Sequence, residues 1–192
     1  VNSDVSKAEN FEELFIKIGI CTEKKRDLST LATRGEFLQI IMGLLSFDAS
    51  QNSNGIFGDI SDARLASLAE NAVEMNIISA ADNFYPDSAV TYQQACKMII
   101  IALGYGNEAI YSVGYPYGYV TEAESLKIGK GVVGKGKLSY ADMLLMLGNM
   151  CNTRIRNIIN VKIKNDTIGY TYDYSDYFIY VYHDIYKVEG II

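Results

Sequence analysis

Apolar side chains recur at helical spacing through residues 1–153, in short stripes separated by polar or glycine-bearing loops. The clearest stripe follows the i, i+3, i+4, i+7, i+8 positions of a helix that faces a core, at Phe37, Ile40, Ile41, Leu44 and Leu45. A single pair of such helices cannot bury both stripes by itself. We therefore predict a mainly α-helical chain in which helix pairs pack on one another.

The stripes group into three segments with one shared order. Each has a first stripe, a loop marked by Gly or Pro, a hydroxyl residue and then a second stripe. The second stripes begin at Thr33, Thr91 and Ser139. Intervals of roughly 50 residues are typical of repeat architectures whose loops vary in length while the helices do not. The predicted repeats cover residues 1–48, 57–106 and 111–153.

The hydroxyl residues match the pattern of a helix capping box. In this motif the hydroxyl accepts a backbone N–H of the first turn, and an acid or amide three residues later accepts the N–H of the cap. The pairs are Thr33 with Glu36, Thr91 with Gln94 and Ser139 with Asp142. Capping accounts for these residue types without any ligand.

Capping does not account for Arg34. A cation in the first turn opposes the helix dipole, at a cost of roughly a few tenths of a kcal/mol. One interpretation is an exposed arginine that pairs with a nearby carboxylate. The other is that Arg34 serves a ligand.

After about residue 158 the pattern changes to the period of two that is typical of strands. Asn165 and Asp166 form a turn signal, and seven of the fifteen tyrosines lie between Tyr170 and Tyr186. Tyrosine suits half-buried strands, so we favour a structural role for these rings over a sugar-binding surface. We predict a Tyr-rich β segment over residues 154–192, in which residues 182–190 look like the start of a further β domain.

Composition limits the partners of the chain. Hydrophobic residues make up 49% and charged residues 21%, which is typical of a folded domain. The net charge of −6 comes without a basic block, so nucleic acid is not an expected partner. No apolar run approaches the roughly 18 residues that a membrane-spanning helix needs. The chain begins at Val1 and ends on an apolar pair, which we interpret as the cut ends of a longer protein.

A single histidine, His183, limits the possible chemistry. Zinc sites with two or three His ligands are excluded, and any Ser-His-Asp or Cys-His arrangement would have to use His183. Cys21, Cys96 and Cys151 lie in or beside apolar helical patterns, where free Cys behaves as a small hydrophobe. No pair of carboxylates stands out for glycoside hydrolysis. We expect no enzyme activity, no metal site and no cofactor.

Two short motifs resemble ligand loops but lack the required context. Gly129, Gly131 and Gly134 have the spacing of a dinucleotide fingerprint, yet no strand precedes them and no helix begins directly after them. Residues 50–55 are similar to a calcium loop, but the first Asp is missing and Ser61 stands where the twelfth residue should be Glu. We interpret both as ordinary loops.

Taken together, the repeats resemble the S-layer homology (SLH) domain, whose hallmark is Ile-Thr-Arg-Ala-Glu. Residues 32–36 read Ala-Thr-Arg-Gly-Glu, close to that hallmark. An aromatic-x-Asp opening and a Phe-x-Pro loop occur at residues 57–59 and 84–86. The segments at 115–119 and 148–153 are similar to third repeats of clostridial-type members. The resemblance rests on the whole set of motifs in this order, which covers residues 1–153.

The resemblance implies a pseudo-threefold bundle of three helix-loop-helix repeats, followed here by a short β tail. It also implies grooves that bind an anionic, often pyruvylated, secondary cell-wall polysaccharide at the surface of a Gram-positive-type bacterium. A planar guanidinium suits a carboxylate, and first-turn N–H groups favour an anion. The site residues implied for the first groove are Arg34, Thr33, Gly35, Glu36 and either Asp4 or Asp59. Gly35, which replaces the usual Ala, would let a ligand approach.

The second and third repeats depart from the hallmark. Tyr92 and Tyr140 stand at the arginine position, and we count both as candidate glycan-binding residues. Tyrosine can stack on a sugar but cannot pair with a carboxylate. We therefore expect at most one competent groove, centred on Arg34, in a non-enzymatic anchoring module. The alternative is a degenerate scaffold for surface-layer self-assembly or protein–protein interaction.

Overall fold

The computed structural model describes residues 4–25, 27–49, 53–164 and 167–183. Within these residues the chain is mainly α-helical, with eight helices and one two-stranded antiparallel sheet near the C-terminus, which confirms the predicted fold class at this level. In chain order the elements are α1 Val5–Lys17, α2 Arg34–Leu44, α3 Ala63–Glu74, α4 Tyr92–Ala102, α5 Gly106–Ser112, α6 Tyr117–Ser125, α7 Tyr140–Cys151, β1 Arg154–Lys164, β2 Thr167–Tyr177 and α8 Phe178–His183.

All three predicted capping boxes are confirmed. Thr33, Thr91 and Ser139 each accept the backbone N–H of the third helical residue, and the side chain of that residue accepts the N–H of the cap. These reciprocal bonds satisfy first-turn donors that a helix otherwise leaves open. Helices α2, α4 and α7 therefore begin where the sequence predicts.

The three capped helices start around a closed ring of backbone hydrogen bonds. Ala32 N–H donates to Leu138 O at 3.0 Å, Leu138 N–H donates to Val90 O at 3.0 Å, and Val90 N–H donates to Ala32 O at 2.9 Å. Each of these residues directly precedes a cap, and each is fully buried. The ring ties three segments that are distant in sequence to one point in the core.

Helix pairing crosses the predicted repeat boundaries. Helix α1 packs on α7, α3 packs on α2 and α6 packs on α4. The first helix of each segment thus contacts the second helix of another segment, as expected if no segment buries its stripes alone. A Cβ at Gly148 of α7 would overlap the ring of Phe11 in α1, so the α1–α7 contact depends on a residue without a side chain.

Helix α5 was not predicted. It is only 7 residues long and has no side-chain cap, so neither periodicity nor a start signal marks it in the sequence. It carries Glu108, which pairs with Arg156 of β1. The Arg156 guanidinium also lies over the rings of Tyr105 and Tyr172, 4.9 and 3.5 Å from their centroids, and this contact joins the hairpin to the helices.

The C-terminal segment is partly as predicted. Strands β1 and β2 form the expected hairpin, although β1 begins at Arg154, before the clear alternation. The expected β structure at residues 182 and 183 is wrong, because Tyr182 and His183 lie in α8. Phe178 and Ile179 of α8 are buried in the core, which favours a helix there. The turn signal at residues 165–166 and the predicted β structure of residues 184–192 lie outside the described residues.

Among the described residues there is no helix whose length and apolar character would let it span a bilayer.

Candidate ligand-binding cleft

Arg34 is held in place by the loop between α3 and α4. Its Nε donates to the carbonyl of Phe84 at 2.8 Å, and its guanidinium carbon lies 4.7 Å from the centroid of the Phe84 ring. Its two Nη groups make no hydrogen bond with any described residue. The side chain is thus fixed at one nitrogen while its outer edge stays available.

This edge borders a cleft of about 400 Å³ between the loop after α3 and the first turns of α4. Tyr115 lines the cleft from the loop before α6, and the other polar and charged lining residues are Arg34, Ser79, Asn83, Gln94 and Lys97. The apolar part of the lining is Phe57, Ile77, Ile78, Phe84 and Met98. A mostly apolar cleft with a few converging polar groups is the common form of a small-ligand site.

Lys97 and Tyr115 line this cleft, and sequence reasoning selected neither as a site residue. Lys97 Nζ donates to Ser79 Oγ at 2.9 Å. Burial, and next the nearby charge of Arg34, lower the pKa of Lys97 below its ordinary value. Neither Arg34 nor Lys97 forms an ion pair with any carboxylate of the described residues. Two cations that line one cleft without a salt bridge are an arrangement that favours an anion.

Nothing in the sequence alone marks Lys97 as a site residue. Lys97 lies six residues after the cap of α4, and the same position in the other repeats holds Gln39 and Leu145. A lone lysine on a helix is most often solvated, so Lys97 stands out only once the loop of Arg34 is known to lie beside it.

Asp59 stabilises the loop that holds Arg34. Its Oδ1 accepts the N–H of Phe84 at 2.7 Å, and its Oδ2 accepts the N–H of Tyr85 at 2.6 Å. Burial opposes ionisation of Asp59, but these amides and the charge of Arg34 outweigh it and lower its pKa. For Arg34 the largest effect is burial, which lowers its pKa, while Tyr115 and Asp59 oppose that shift.

Of the two candidate aspartates, the structure brings Asp59 to Arg34 and places Asp4 elsewhere. Asp4 caps α1 by accepting the N–H of Lys7 at 3.2 Å, and it lies beside Gly131. Both aspartates precede the first helix of a predicted repeat, so the sequence pattern does not distinguish them. The packing of the loops decides which of the two lies near Arg34.

Thr33 and Glu36 are committed to the cap of α2, so they position Arg34 without facing its cleft. Gly35 is buried against Pro86, whose carbonyl accepts the Gly35 N–H at 2.9 Å. The space that Gly35 leaves is filled by the protein, so the expectation that it admits a ligand is wrong.

The first-turn amides of α2 are also occupied. Arg34 N–H donates to Ser88 O at 2.9 Å, and Glu36 N–H is bonded to the cap. Together with the bond from Gly35, these contacts leave no free first-turn amide for an anion. The first turn of α2 therefore has no amide to offer an anion, in contrast to what the resemblance implies.

Tyr92 and Tyr140 do not present a face to solvent. Their exposed fractions are 2% and 7%. Burial is the main cause that raises the pKa of both phenols. Tyr92 packs against Gly129, where a Cβ would overlap the phenol oxygen. The expectation that these rings are available to stack on a sugar is therefore wrong, because they belong to the core.

A lysine covers each of these two tyrosines, but a carboxylate already neutralises it. Lys25 Nζ lies 4.9 Å from the Tyr140 centroid and 2.5 Å from Glu36 Oε1. Lys135 Nζ lies 5.9 Å from the Tyr92 centroid and pairs with Glu124. The cleft beside Tyr140 has a volume of about 700 Å³. This cleft is larger than the one beside Arg34, but Lys25 in its lining already forms a salt bridge with Glu36.

Other candidate groups have structural partners. His183 Nε2 lies 2.9 Å from the carbonyl of Leu44, where it joins α8 to α2. Cys96 and Cys151 are buried in the core. No group of three or more His, Cys, Asp or Glu residues that could hold a metal ion occurs in the described part of the chain.

No known protein family model matches the sequence, and no curated protein matches it either.

Proposed function

We propose that this chain is a non-enzymatic anchoring module that binds an anionic secondary cell-wall polysaccharide noncovalently. The observation that carries the proposal is the cleft that Arg34 and Lys97 line without a salt bridge to any carboxylate of the described residues. In this proposal the module is extracellular and holds a surface protein to a Gram-positive-type cell wall. The anionic group is the carboxylate of a pyruvylated sugar.

The repeat features support the SLH part of the proposal. Three capping boxes, the ring through Ala32, Val90 and Leu138, and the pairing of helices between segments all recur three times. A pseudo-threefold bundle of three SLH-like repeats accounts for this recurrence with one arrangement. The described residues of the C-terminal segment, 154–164 and 167–183, then form an addition to the bundle.

The chemistry of the cleft supports a carboxylate ligand. An arginine fixed through Nε presents its two Nη groups in one plane, which matches the two oxygens of a carboxylate. Lys97 adds a point charge from the adjacent helix. The carboxylate oxygens of Asp59 both accept backbone amides, so Asp59 is occupied in holding the loop and is not a candidate general base. The cleft therefore favours binding over catalysis.

The repeats differ in a way that supports a single competent groove. At the position of Arg34 the other two repeats bury Tyr92 and Tyr140. The lysines over those rings are paired with Glu36 and Glu124. We therefore propose one glycan carboxylate per chain.

The test is sedimentation of the chain with cell-wall sacculi, before and after chemical removal of the wall glycan. The native chain, Arg34→Ala and Lys97→Ala are compared with Lys25→Ala, which removes a cation from another cleft. We expect binding only to glycan-bearing sacculi, lost in Arg34→Ala, weakened in Lys97→Ala and retained in Lys25→Ala. Equal binding of all four chains, or binding that survives glycan removal, would contradict the proposal.

A second candidate function, self-assembly, is favoured by an exposed apolar group around α5. Its members, each more than half exposed, are Ile110, Tyr111, Val113 and Tyr117. Such a group is a common feature of protein interfaces. Light scattering after size exclusion distinguishes the two candidates. Larger species that disappear in Tyr111→Ser with Val113→Ser would favour assembly, and a monomer at high concentration would exclude it for this chain.

A further inference from the structure

Tyr115 is the exposed aromatic residue in the lining of the Arg34 cleft. Tyr115 is 55% exposed, whereas the exposed fractions of Phe57 and Phe84 in the same lining are 5% and 2%. Leaving an aromatic ring in water forgoes the hydrophobic stabilisation that burial would provide. An exposed ring beside two cations is therefore a surface that a ligand can cover.

The ring of Tyr115 is supported from the protein side. It lies 6.4 Å from the ring of Tyr119, at an interplanar angle of 57°, and Tyr119 is buried. Gly114, with a φ of +71°, turns the chain directly before Tyr115. Tyr115 is thus held at the edge of the cleft while more than half of its side chain remains open.

The combination of charges and ring favours one class of anion over another. Two cations alone would accept any small anion, including inorganic phosphate. A sugar ring, in contrast, has a face of C–H groups that packs on an aromatic ring, while its substituents reach polar groups nearby. Only a sugar that carries an anionic substituent would contact both the two cations and the aromatic ring of Tyr115.

We propose that Tyr115 is a specificity-determining residue that stacks on the sugar ring whose carboxylate is held by Arg34 and Lys97. This inference deepens the proposed function and rests on it. The cleft then selects a carboxylated sugar over a free carboxylate or phosphate, because the free anions leave the Tyr115 ring uncovered.

The experiment measures binding of the chain to glycan-bearing sacculi and competition by two soluble probes. One probe is a methyl hexoside that carries a pyruvate ketal, and the other is free pyruvate, which has the carboxylate without the ring. The variants are Tyr115→Ala, Tyr115→Leu, Tyr115→Phe and Arg34→Ala. Tyr117→Ala is the matched control, since Tyr117 is 69% exposed on the same segment but does not line the cleft.

We expect Tyr115→Ala and Tyr115→Leu to weaken binding to sacculi about tenfold, as loss of an aromatic contact does. Tyr115→Phe should restore it to within about threefold, and Tyr117→Ala should bind as the native chain does. The hexoside should compete far better than pyruvate with the native chain, and this preference should be lost in Tyr115→Ala. Circular dichroism checks that each variant is folded, and Tyr115→Leu serves if the alanine variant is not.

The outcomes separate the two proposals. If Arg34→Ala loses binding while Tyr115→Ala and Tyr115→Leu bind as the native chain does, Tyr115 has no role in specificity and the proposed function stands. If pyruvate competes as well as the hexoside with the native chain, the inference about the sugar ring is also overturned. If the native chain does not bind glycan-bearing sacculi at all, the proposed function fails and the inference fails with it.

Discussion

The guanidinium of Arg34 lies over the ring of Phe84 and donates to the carbonyl of the same residue. The guanidinium carbon is 4.7 Å from the ring centroid, and Nε is 2.8 Å from the carbonyl oxygen. Two contacts to one residue fix the plane of the guanidinium as well as its position. Because Phe84 is itself buried and tied to Asp59 through its N–H, the arginine is oriented before any ligand arrives.

The fixed orientation predicts that lysine cannot replace Arg34. Lysine lacks the Nε donor and the planar group that stacks on Phe84. We expect Arg34→Lys to weaken glycan binding by about 1.5–3 kcal/mol, the usual contribution of hydrogen bonds to a charged group. Depletion of the chain by sacculi measures this loss, with thermal unfolding to check stability. Native-like binding by Arg34→Lys would show that charge alone suffices.

Lys97 predicts a pH dependence of binding. Burial and the charge of Arg34 lower its pKa below the ordinary 10.5. A bound anion favours the protonated amine, so binding takes up a proton and affinity falls as pH rises through that lowered pKa. The stability of the ligand-free chain changes with pH in the opposite direction. The unfolded state has the ordinary, higher pKa and holds this proton more tightly, so the free energy of unfolding rises with pH between the lowered pKa and 10.5.

The check is to measure glycan affinity between about pH 7 and pH 10. The native chain should lose affinity toward the upper end. Lys97→Arg should keep its affinity, since arginine stays protonated, and Lys97→Met should bind weakly at every pH. A native profile as flat as that of Lys97→Arg would remove Lys97 from the site.

The capping boxes predict a stability effect that is separate from binding. Thr33→Ala removes the oxygen that accepts Glu36 N–H, and we expect a loss of about 1 kcal/mol in the free energy of unfolding. Thr91→Ala should cost a similar amount, and Thr33→Ser should be close to neutral. Urea unfolding measures all three. Because Thr33 positions Arg34 without facing the ligand, a folded Thr33→Ala chain should still bind sacculi, and complete loss of binding would contradict this assignment.

Because α1 packs closely on α7 at Gly148, we expect the stability of the chain to be sensitive to one methyl group added there. A Cβ at Gly148 would overlap the fully buried ring of Phe11, so Gly148→Ala should destabilise the chain by about 1–3 kcal/mol. Gly134→Ala is the control, since nothing lies within 4 Å of a Cβ there. Combining Gly148→Ala with Phe11→Leu should recover part of the loss in urea unfolding. Additive losses in the double variant would mean that the two residues are not in contact.

Much of the local structure could be predicted because its causes lie within one or two helical turns. The stripe through Phe37 and Ile41 defines the buried face of α2, and Thr33 with Glu36 defines its start. The hairpin of β1 and β2 follows from an alternation that is equally local. The sequence pattern did not predict helix α5 or the helical state of Tyr182, because neither segment has periodicity of its own. Both helices form where tertiary contacts are available.

The sequence by itself determined the class of fold, the helix starts and the choice of Arg34 as the residue that needs an explanation. Only the tertiary structure decided what surrounds Arg34. Phe84 and Lys97 come from the second predicted repeat and Tyr115 comes from the third, and the packing of loops brings them together. Packing also buried the rings of Tyr92 and Tyr140 and filled the space at Gly35. The physical reason is that capping and amphipathic burial depend on neighbours along the chain, whereas a cleft depends on long-range contacts.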